Sequence, residues 1–234
     1  MNFKTLSPAV SPVRAASVRR VAAALAFGMG AAFFASAPAY AAPIDSLVKG
    51  VKFDDDKGVA KDIANGQDPN ATDDQGMPLL VLAAREKSDK VAALLLDNPN
   101  TKINAEDKAG ESALMLASLN GDVDLVKLLI TKGADVNKQG WTPLHYAAAN
   151  GNDDVVKLLI GYSADVNALS PNGTTPLMMA ARGDHMSTAK LLLDHGANLQ
   201  AKNQIGMNAL DFAKQYKAPD AIKDLSARMG QAAQ

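Results

Sequence analysis

The chain contains no cysteine among its 234 residues. It can therefore form no disulfide bond, and it offers neither a thiol nucleophile nor a thiolate ligand for a metal ion. Histidine is also scarce, with three residues, and aromatic residues make up 5% of the chain, including a single tryptophan, Trp141. Stability must therefore come from packing of the apolar residues, which form 47% of the sequence.

Sequence motifs of common enzyme sites are absent as well. There is no glycine-rich phosphate loop, no dinucleotide-binding turn and no G-x-S-x-G nucleophile elbow. His185 and His195 lie too far apart for the paired histidines of a zinc helix. The run Asp54 to Asp56 lacks the alternating oxygen ligands of a calcium loop. We therefore expect no cofactor, no metal site and no catalytic residues.

The N-terminal segment predicts export. It carries no acidic residue, an apolar run from Val21 to Phe34, and small residues at Ala39 and Ala41. This pattern indicates a secretory signal peptide over residues 1–41, cleaved between Ala41 and Ala42. The apolar run is about 14 residues long, shorter than the roughly 20 that span a bilayer. The alternative is an uncleaved membrane anchor, but the alanine-rich run looks bacterial and favours a periplasmic protein.

Removal of this leader changes the charge of the chain. The leader holds four of the 24 basic residues and none of the 25 acidic ones, so the remainder has a net charge of about −5. A surplus of negative charge argues against nucleic acid or an anionic membrane as the partner. We expect contact with a membrane only in transit, through the signal peptide.

The remainder is organised around one stretch, from Gln139 to Ala168, which predicts two short helices. Thr142 can cap a helix that begins at Pro143, and Asn150-Gly151 ends it. Two aspartates follow, at the expected start of a second helix. That second helix is apolar on more than one face, so it must be buried between neighbours.

The same stretch recurs along the chain. Its opening glycines are spaced by 34, 30, 33 and 33 residues, at Gly76, Gly110, Gly140, Gly173 and Gly206. A period of this length indicates a stacked repeat architecture. The pattern G-x-T-P-L-H-x-A-A, followed by V-x-x-L-L and G-A-D-x-N, resembles the ankyrin-repeat family, most completely in residues 140–167. The resemblance implies an all-α solenoid of helix–turn–helix units with β-hairpin fingers.

The repeat register divides the chain into units. We predict an N-terminal capping unit at 42–72, repeats at 73–106, 107–139, 140–169 and 170–202, a C-terminal capping unit at 203–230 and a disordered tail at 231–234. In the first unit Lys61 and Asp62 replace core leucines, which predicts a charged face toward water. The finger after Asn137 is truncated, either by neutral loop shortening or as a notch that admits a partner.

The resemblance also implies a function. Ankyrin-repeat proteins bind other proteins through a concave face formed by the fingers and first helices, and exported members resemble accessory or protective proteins, with oxidative stress as one setting. The family's contact positions flank the opening glycine and follow the paired alanines. Here they are Asp74, Gln75, Met77, Lys108, Glu111, Leu119, Asn120, Trp141, Asn172, Thr174, Arg182, Ile205, Met207 and Tyr216.

Two of these interpretations have alternatives. Trp141 is either an interface anchor or a plug packed across the truncated finger. The resemblance makes His145 a structural brace, with Gly140 and Gly173 in structural turns. An enzyme with a site around His145 would also need a nucleophile and an orienting partner. We therefore predict a monomeric, non-enzymatic periplasmic protein whose partner is another protein.

Overall fold

The computed structural model describes residues 44–232. The predicted signal peptide and its cleavage site at Ala41 and Ala42 lie outside this range. Residues 44–232 contain twelve α-helices, and their only bridges between extended segments are the isolated pairs Thr72–Pro78 and Glu106–Ser112. The helices are α1 (Ile44–Lys52), α2 (Asp56–Ala64), α3 (Leu79–Glu86), α4 (Asp89–Asp97), α5 (Ala113–Asn120), α6 (Val123–Thr131), α7 (Pro143–Ala149), α8 (Asp153–Gly161), α9 (Pro176–Arg182), α10 (Met186–Asp194), α11 (Ala209–Gln215) and α12 (Pro219–Ala232).

The helices form six pairs that stack into two layers. Each odd-numbered helix packs against the even-numbered helix that follows it and against the odd-numbered helices of the adjacent units. The even-numbered helices form the second layer in the same way. Between the layers lies one continuous cluster of buried apolar residues, from Leu47 to Leu225. The predicted all-α repeat solenoid is therefore confirmed.

The first helix of most units begins with a capping box, a pair of hydrogen bonds between the N-cap residue and the third residue of the helix. The N–H of the N-cap residue donates to the side chain of the third helical residue, which is Met115, His145, Met178 or Asp211. α3 differs because its N-cap is Pro78, which has no N–H to satisfy. The third residue of α3 is accordingly Val81, whose side chain has no acceptor.

A row of asparagines joins neighbouring units along the turns. Asn70, Asn104, Asn137 and Asn167 each donate an amide hydrogen to a carbonyl of the next unit and accept a backbone N–H from it. For Asn167 the two bonds reach the Gly196 carbonyl at 3.0 Å and the Asn198 nitrogen at 2.8 Å. After the fifth helix pair, the corresponding position is occupied by Gln200. Its side chain is exposed and forms no such bond to the next unit.

The finger after Asn137 is truncated in the structure. Fingers elsewhere are closed by a backbone bond across a five-residue turn, for example from the Asp107 N–H to the Glu111 carbonyl. In its place, the Lys138 ammonium lies 2.8 Å from a Glu106 carboxylate oxygen and 2.7 Å from the Gly110 carbonyl. A lysine side chain therefore ties the shortened turn to the preceding finger.

Gly173 combines two requirements that only glycine meets. Its φ is +77°, and a Cβ there would lie 3.3 Å from the backbone of Asn203 and Gln204 in the next finger. Gly140, with φ +89°, also sits in a left-handed turn. Ser163 occupies the register of Gly133 and has φ +64°, so it adopts the conformation that glycine favours.

Two details differ from the sequence-based expectations. Asp62 of the first unit is not turned to water: it is 9% exposed and accepts a hydrogen bond from the Ser46 hydroxyl at 2.6 Å. α12 extends to Ala232, so residues 231 and 232 continue the helix and are not part of a disordered tail. The helix packs against α10 and α11, and that support outweighs the low helix propensity of Gly230.

The described residues contain neither a membrane-spanning helix nor a cluster of metal ligands. None of the helices in residues 44–232 combines the length and apolar character needed to cross a bilayer. In the same range no three histidine, aspartate or glutamate side chains are grouped to hold a metal ion.

The asparagine row predicts a measurable contribution to stability. Replacing Asn167 with alanine removes two bonds between units and should lower the free energy of unfolding by about 1–2 kcal/mol. Urea denaturation followed by circular dichroism measures this change. Gln200→Ala is the matched control, since it removes an amide in the same register without breaking a contact between units. Equal effects of the two substitutions would contradict the assignment.

Candidate functional site

Three rows of side chains in repeat register occupy the face of the first-helix layer, which we call the first-helix face. The first row directly follows the opening glycines and contains Met77, Glu111, Trp141, Thr174 and Met207. The second row is the fourth residue of each first helix: Leu82, Leu116, Tyr146, Met179 and Phe212. The third row lies one turn later: Arg85, Leu119, Ala149, Arg182 and Gln215. Residues distant in sequence therefore meet on this face because the units stack in register.

A hollow of about 300 Å³ lies on this face where the units of α5, α7 and α9 meet. Its lining includes Leu119, Trp141, Tyr146, Ala149, Met179 and Arg182. Within the third row, the small Ala149 stands between the larger Leu119 and Arg182. The missing side-chain volume at Ala149 therefore helps to create the space.

A second hollow, of about 280 Å³, lies on the other side of Trp141. It shares Trp141, Met179 and Arg182 with the first hollow. Its further lining includes the amide side chains Asn172, Asn203 and Gln215 and the apolar or aromatic residues Ile205, Met207, Phe212 and Tyr216. Because three side chains line both hollows, we treat them as one groove, which we call the Trp141 groove.

Trp141 forms the ridge between the two hollows. Its side chain is partly exposed, and its ring packs edge-on against the His145 imidazole, with 5.2 Å between the ring centroids and 77° between the planes. The ring is therefore held in place from below while it remains accessible from the groove. The truncated finger and the tryptophan meet at this point, because only two residues separate Asn137 from Gly140.

His145 is buried behind this tryptophan. Its Nε2–H donates to the Thr174 carbonyl at 2.9 Å, and its Nδ1 accepts from the Thr142 N–H at 3.2 Å. Burial lowers the pKa of His145 to about 4, so the imidazole is neutral near pH 7. Both nitrogens are used to link one unit to the next. No ring nitrogen is left for proton transfer, so the geometry favours the structural brace over a catalytic base.

Tyr146 and Glu111 form a fixed pair at the edge of the groove. The Tyr146 hydroxyl donates to a Glu111 carboxylate oxygen at 2.6 Å. Burial, together with this bond and the negative charge of Glu111, raises the pKa of Tyr146 well above its ordinary value. The tyrosine is therefore neutral, and the Glu111 carboxylate is already engaged within the chain.

In the described part of the chain, Arg182 contacts an aromatic ring and no carboxylate. Its guanidinium carbon lies 4.7 Å from the centroid of the Tyr216 ring, which in turn stacks on Phe212 with 6.3 Å between centroids. Within residues 44–232, Arg182 has no ion pair with a carboxylate. Its position is thus fixed by an aromatic ring and not by an opposite charge.

The structure brings half of the sequence-predicted contact residues together. Seven of the fourteen predicted residues line the groove with accessible side chains: Leu119, Trp141, Asn172, Arg182, Ile205, Met207 and Tyr216. Thr174 also borders the second hollow, but it is only 1% exposed. Asp74, Gln75 and Lys108 lie on earlier fingers, away from it. Asn120 has a structural bond, because its side chain donates to the Ala84 carbonyl at 2.9 Å. Glu111 is bound to Tyr146, as described above.

Two predicted contact residues are corrected by their burial. Met77 is 7% exposed and belongs to the apolar core, and Thr174 is 1% exposed and accepts the His145 bond through its carbonyl. Neither offers a side chain to a partner on this surface. Their register matches Trp141, but packing against the next unit turns the same position inward.

The groove also contains residues that the sequence analysis missed. These are Tyr146, Ala149, Met179, Asn203, Phe212 and Gln215. Most belong to the second and third rows of the first-helix face. Leu119 and Arg182 mark the third row, and carrying that position into the other units identifies Ala149 and Gln215. The residues three positions earlier on the same helices include Tyr146, Met179 and Phe212, so five of the six could have been found from the sequence.

Comparison with known proteins agrees with this architecture. The family model described as Ankyrin repeats (3 copies) matches residues 48–139, 80–170 and 144–232. The paired helices, the shared core and these matches define a stacked-repeat protein of the protein–protein interaction class. The chain belongs to the ankyrin-repeat family.

Two curated relatives share part of the repeat array. The chain is 39% identical to alpha-latroinsectotoxin-Lt1a from Latrodectus tredecimguttatus over 75 residues, which is 32% of this chain and 5% of that protein. It is 37% identical to alpha-latrocrustotoxin-Lt1a from the same organism over 78 residues, or 33% of this chain and 5% of that protein. The matched region is thus a small fraction of each relative's length.

The buried imidazole predicts a specific pH dependence of stability. At pH values well above 6.5, the ordinary pKa of a histidine, His145 is neutral in both the folded and the unfolded chain. As the pH falls from 6.5 toward 4, the unfolded chain binds a proton that the folded chain excludes, so stability should fall. The total loss should be about 3 kcal/mol, with no further contribution below pH 4.

His145→Met isolates this effect. Methionine fills the same position in α5 and α9, where its sulfur accepts the N-cap N–H, so the variant should fold. Urea denaturation between pH 4 and 8 should give a shallower pH dependence for the variant, while the titration of carboxylates stays common to both proteins. Parallel stability curves would contradict the prediction.

Proposed function

We propose that this chain is an exported, periplasmic protein that binds another protein through the Trp141 groove, as a monomeric accessory subunit without catalytic activity. The observation that carries the proposal is the groove itself, in which a partly exposed tryptophan stands between two largely apolar hollows. Tryptophan in such a setting is a typical interface anchor, because it buries a large area with little conformational freedom to lose.

The border of the groove supports the same conclusion. Ile205 is 78% exposed at the tip of its finger, and Tyr216 is 47% exposed at the end of α11. Both line the second hollow. Their apolar surface adjoins the Trp141 ridge, so a partner that covers the groove would bury both side chains as well. Contiguous apolar surface of this kind is typical of interaction sites.

Two features of the sequence support export. Residues 1–41 have the pattern of a signal peptide, and the remaining chain has no cysteine that could be oxidised outside the cytoplasm. The net charge of about −5 after cleavage also favours a protein partner over nucleic acid. The role as an accessory subunit is inferred from the family resemblance together with a groove that lacks a catalytic base.

The central prediction concerns Trp141. Trp141→Ala should weaken binding of the partner by roughly 30-fold or more, because a buried aromatic anchor contributes at least about 2 kcal/mol. The partner is first captured from periplasmic extract on the immobilised protein and identified by mass spectrometry. Its affinity for the wild-type and variant proteins is then measured by isothermal titration calorimetry.

Tyr162→Ala provides the matched control for this measurement. Tyr162 is 41% exposed at the end of α8, in the other helix layer, so its loss removes an aromatic surface residue away from the groove. The control should bind the partner like the wild-type protein, and both variants should retain their helical circular dichroism. Unchanged binding by Trp141→Ala would refute the assignment of the groove.

Export makes a separate prediction. When the full sequence is expressed in a bacterium, the protein recovered from the periplasm should begin at Ala42, as determined by N-terminal sequencing. Ala41→Leu should block this cleavage, because signal peptidase requires a small residue at that position. A membrane-bound product that retains Met1 would support the tethered alternative instead.

A further inference from the structure

The charges around the Trp141 groove are unusually one-sided. Among the described residues, Arg182 is the only charged side chain that lines either hollow, and the Glu111 carboxylate at the edge of the groove already accepts a hydrogen bond from Tyr146. His145, which lies beneath Trp141 at the floor of the first hollow, is uncharged near pH 7 because burial lowers its pKa to about 4. In a chain whose mature part has a net charge of about −5, the lining of the groove presents one positive charge among apolar, aromatic and amide side chains.

The geometry of Arg182 leaves its hydrogen-bond donors available. The guanidinium carbon lies over the Tyr216 ring, at 4.7 Å from the centroid. Within residues 44–232, the Arg182 side chain donates no hydrogen bond to another residue, and its guanidinium carries five N–H donors. In the part of the chain that the structure describes, no carboxylate pairs with Arg182.

Arg85, at the corresponding position of α3, provides a comparison because it is paired with a carboxylate of its own chain. Arg85 occupies the Arg182 position of α3, and its Nη2 lies 3.1 Å from a carboxylate oxygen of Glu86. The residue after Arg182 is Gly183, which has no side chain to offer. The next carboxylate along the chain, Asp184, accepts the backbone N–H of Ala221 at 2.7 Å and forms no ion pair with Arg182.

The surroundings of Arg182 define the chemistry that would complete it. An apolar hollow lies on each side of the Trp141 ridge, and Arg182 lines both. A carboxylate placed on the guanidinium would form charge-assisted hydrogen bonds, and the neighbouring rings would shield them from water. An apolar residue on either side of that carboxylate would occupy the two hollows.

We propose that the partner inserts an extended segment whose aspartate or glutamate pairs with Arg182, while apolar side chains flanking the acidic residue fill the two hollows. This proposal rests on the proposed function and specifies the chemistry of the partner. The acidic group belongs to a side chain within the segment and not to a free chain end, because the groove extends to both sides of Arg182.

Selection from a random peptide library tests the proposal. The library is displayed with both ends of each peptide fused or blocked, and it is selected on the immobilised protein. Enriched peptides should share an aspartate or glutamate between apolar residues. Selection on Arg182→Gln should lose the acidic residue, whereas Arg85→Gln, the matched control on the same face, should retain it.

A double-mutant cycle then measures the pair. The best peptide is synthesised with amidated and acetylated ends, together with a version in which its acidic residue is replaced by the corresponding amide. The amide version should bind the wild-type protein roughly tenfold more weakly. The two peptides should bind Arg182→Gln equally, and the difference on the wild-type protein should shrink as the salt concentration rises.

Several results would overturn this inference. Enriched peptides without an acidic residue, an acidic preference that survives in Arg182→Gln, a requirement for a free C-terminal carboxylate, or no peptide that binds the groove would each do so. The proposed function fails on different evidence, namely undiminished capture of the natural partner by Trp141→Ala. The two outcomes are therefore distinguishable.

Discussion

No helix pair in this protein can bury its own apolar surface, and the rest of the structure depends on that constraint. The second helix of each of the four central units is apolar on more than one face, so it requires a neighbour on each side. Stacking meets this requirement with one continuous core from Leu47 to Leu225. The first unit has a neighbour on one side only. There Lys61 is exposed to water, whereas Asp62 is buried and accepts a hydrogen bond from the Ser46 hydroxyl.

Because neighbouring units complete each other, the polar groups at their junctions are also satisfied between units. The asparagine row, the His145 imidazole and the Lys138 ammonium, which pairs with Glu106, all contact atoms of an adjacent unit. These contacts fix the register of the stack, and register is what aligns the three rows of the first-helix face. The Trp141 groove is thus a consequence of stacking: no single unit contains it, and the units of α5, α7, α9 and α11 all contribute side chains.

Within the repeat stack, the residues that cap the first helices are distinct from those that line the groove. At the start of each first helix, methionine, histidine and aspartate serve the same purpose, accepting one N–H, so the chemistry there varies without altering the fold. His145 is one such acceptor, and its second ring nitrogen donates to the next unit, so both nitrogens serve the repeat frame. On the opposite side of this junction Trp141 and Arg182 are not needed to satisfy the backbone. Their side chains instead line the groove, where Trp141 is partly exposed and Arg182 has no carboxylate partner within residues 44–232.

The sequence alone determined the features that depend on local chemistry or on the repeat period. The helix starts at Thr142 and Pro143, the truncated finger before Gly140 and the left-handed turn at Ser163 all follow from short stretches of residues. It also singled out Trp141 and Arg182. Only the tertiary structure decided in which units the residue at a given repeat position is buried against a neighbour and in which it is exposed to solvent. Met77 and Trp141 share a register, yet one enters the core and the other lines the groove. The hollow beside Ala149 and the missing partner of Arg182 likewise arise from side chains of several units, and their packing cannot be derived from any one unit's sequence.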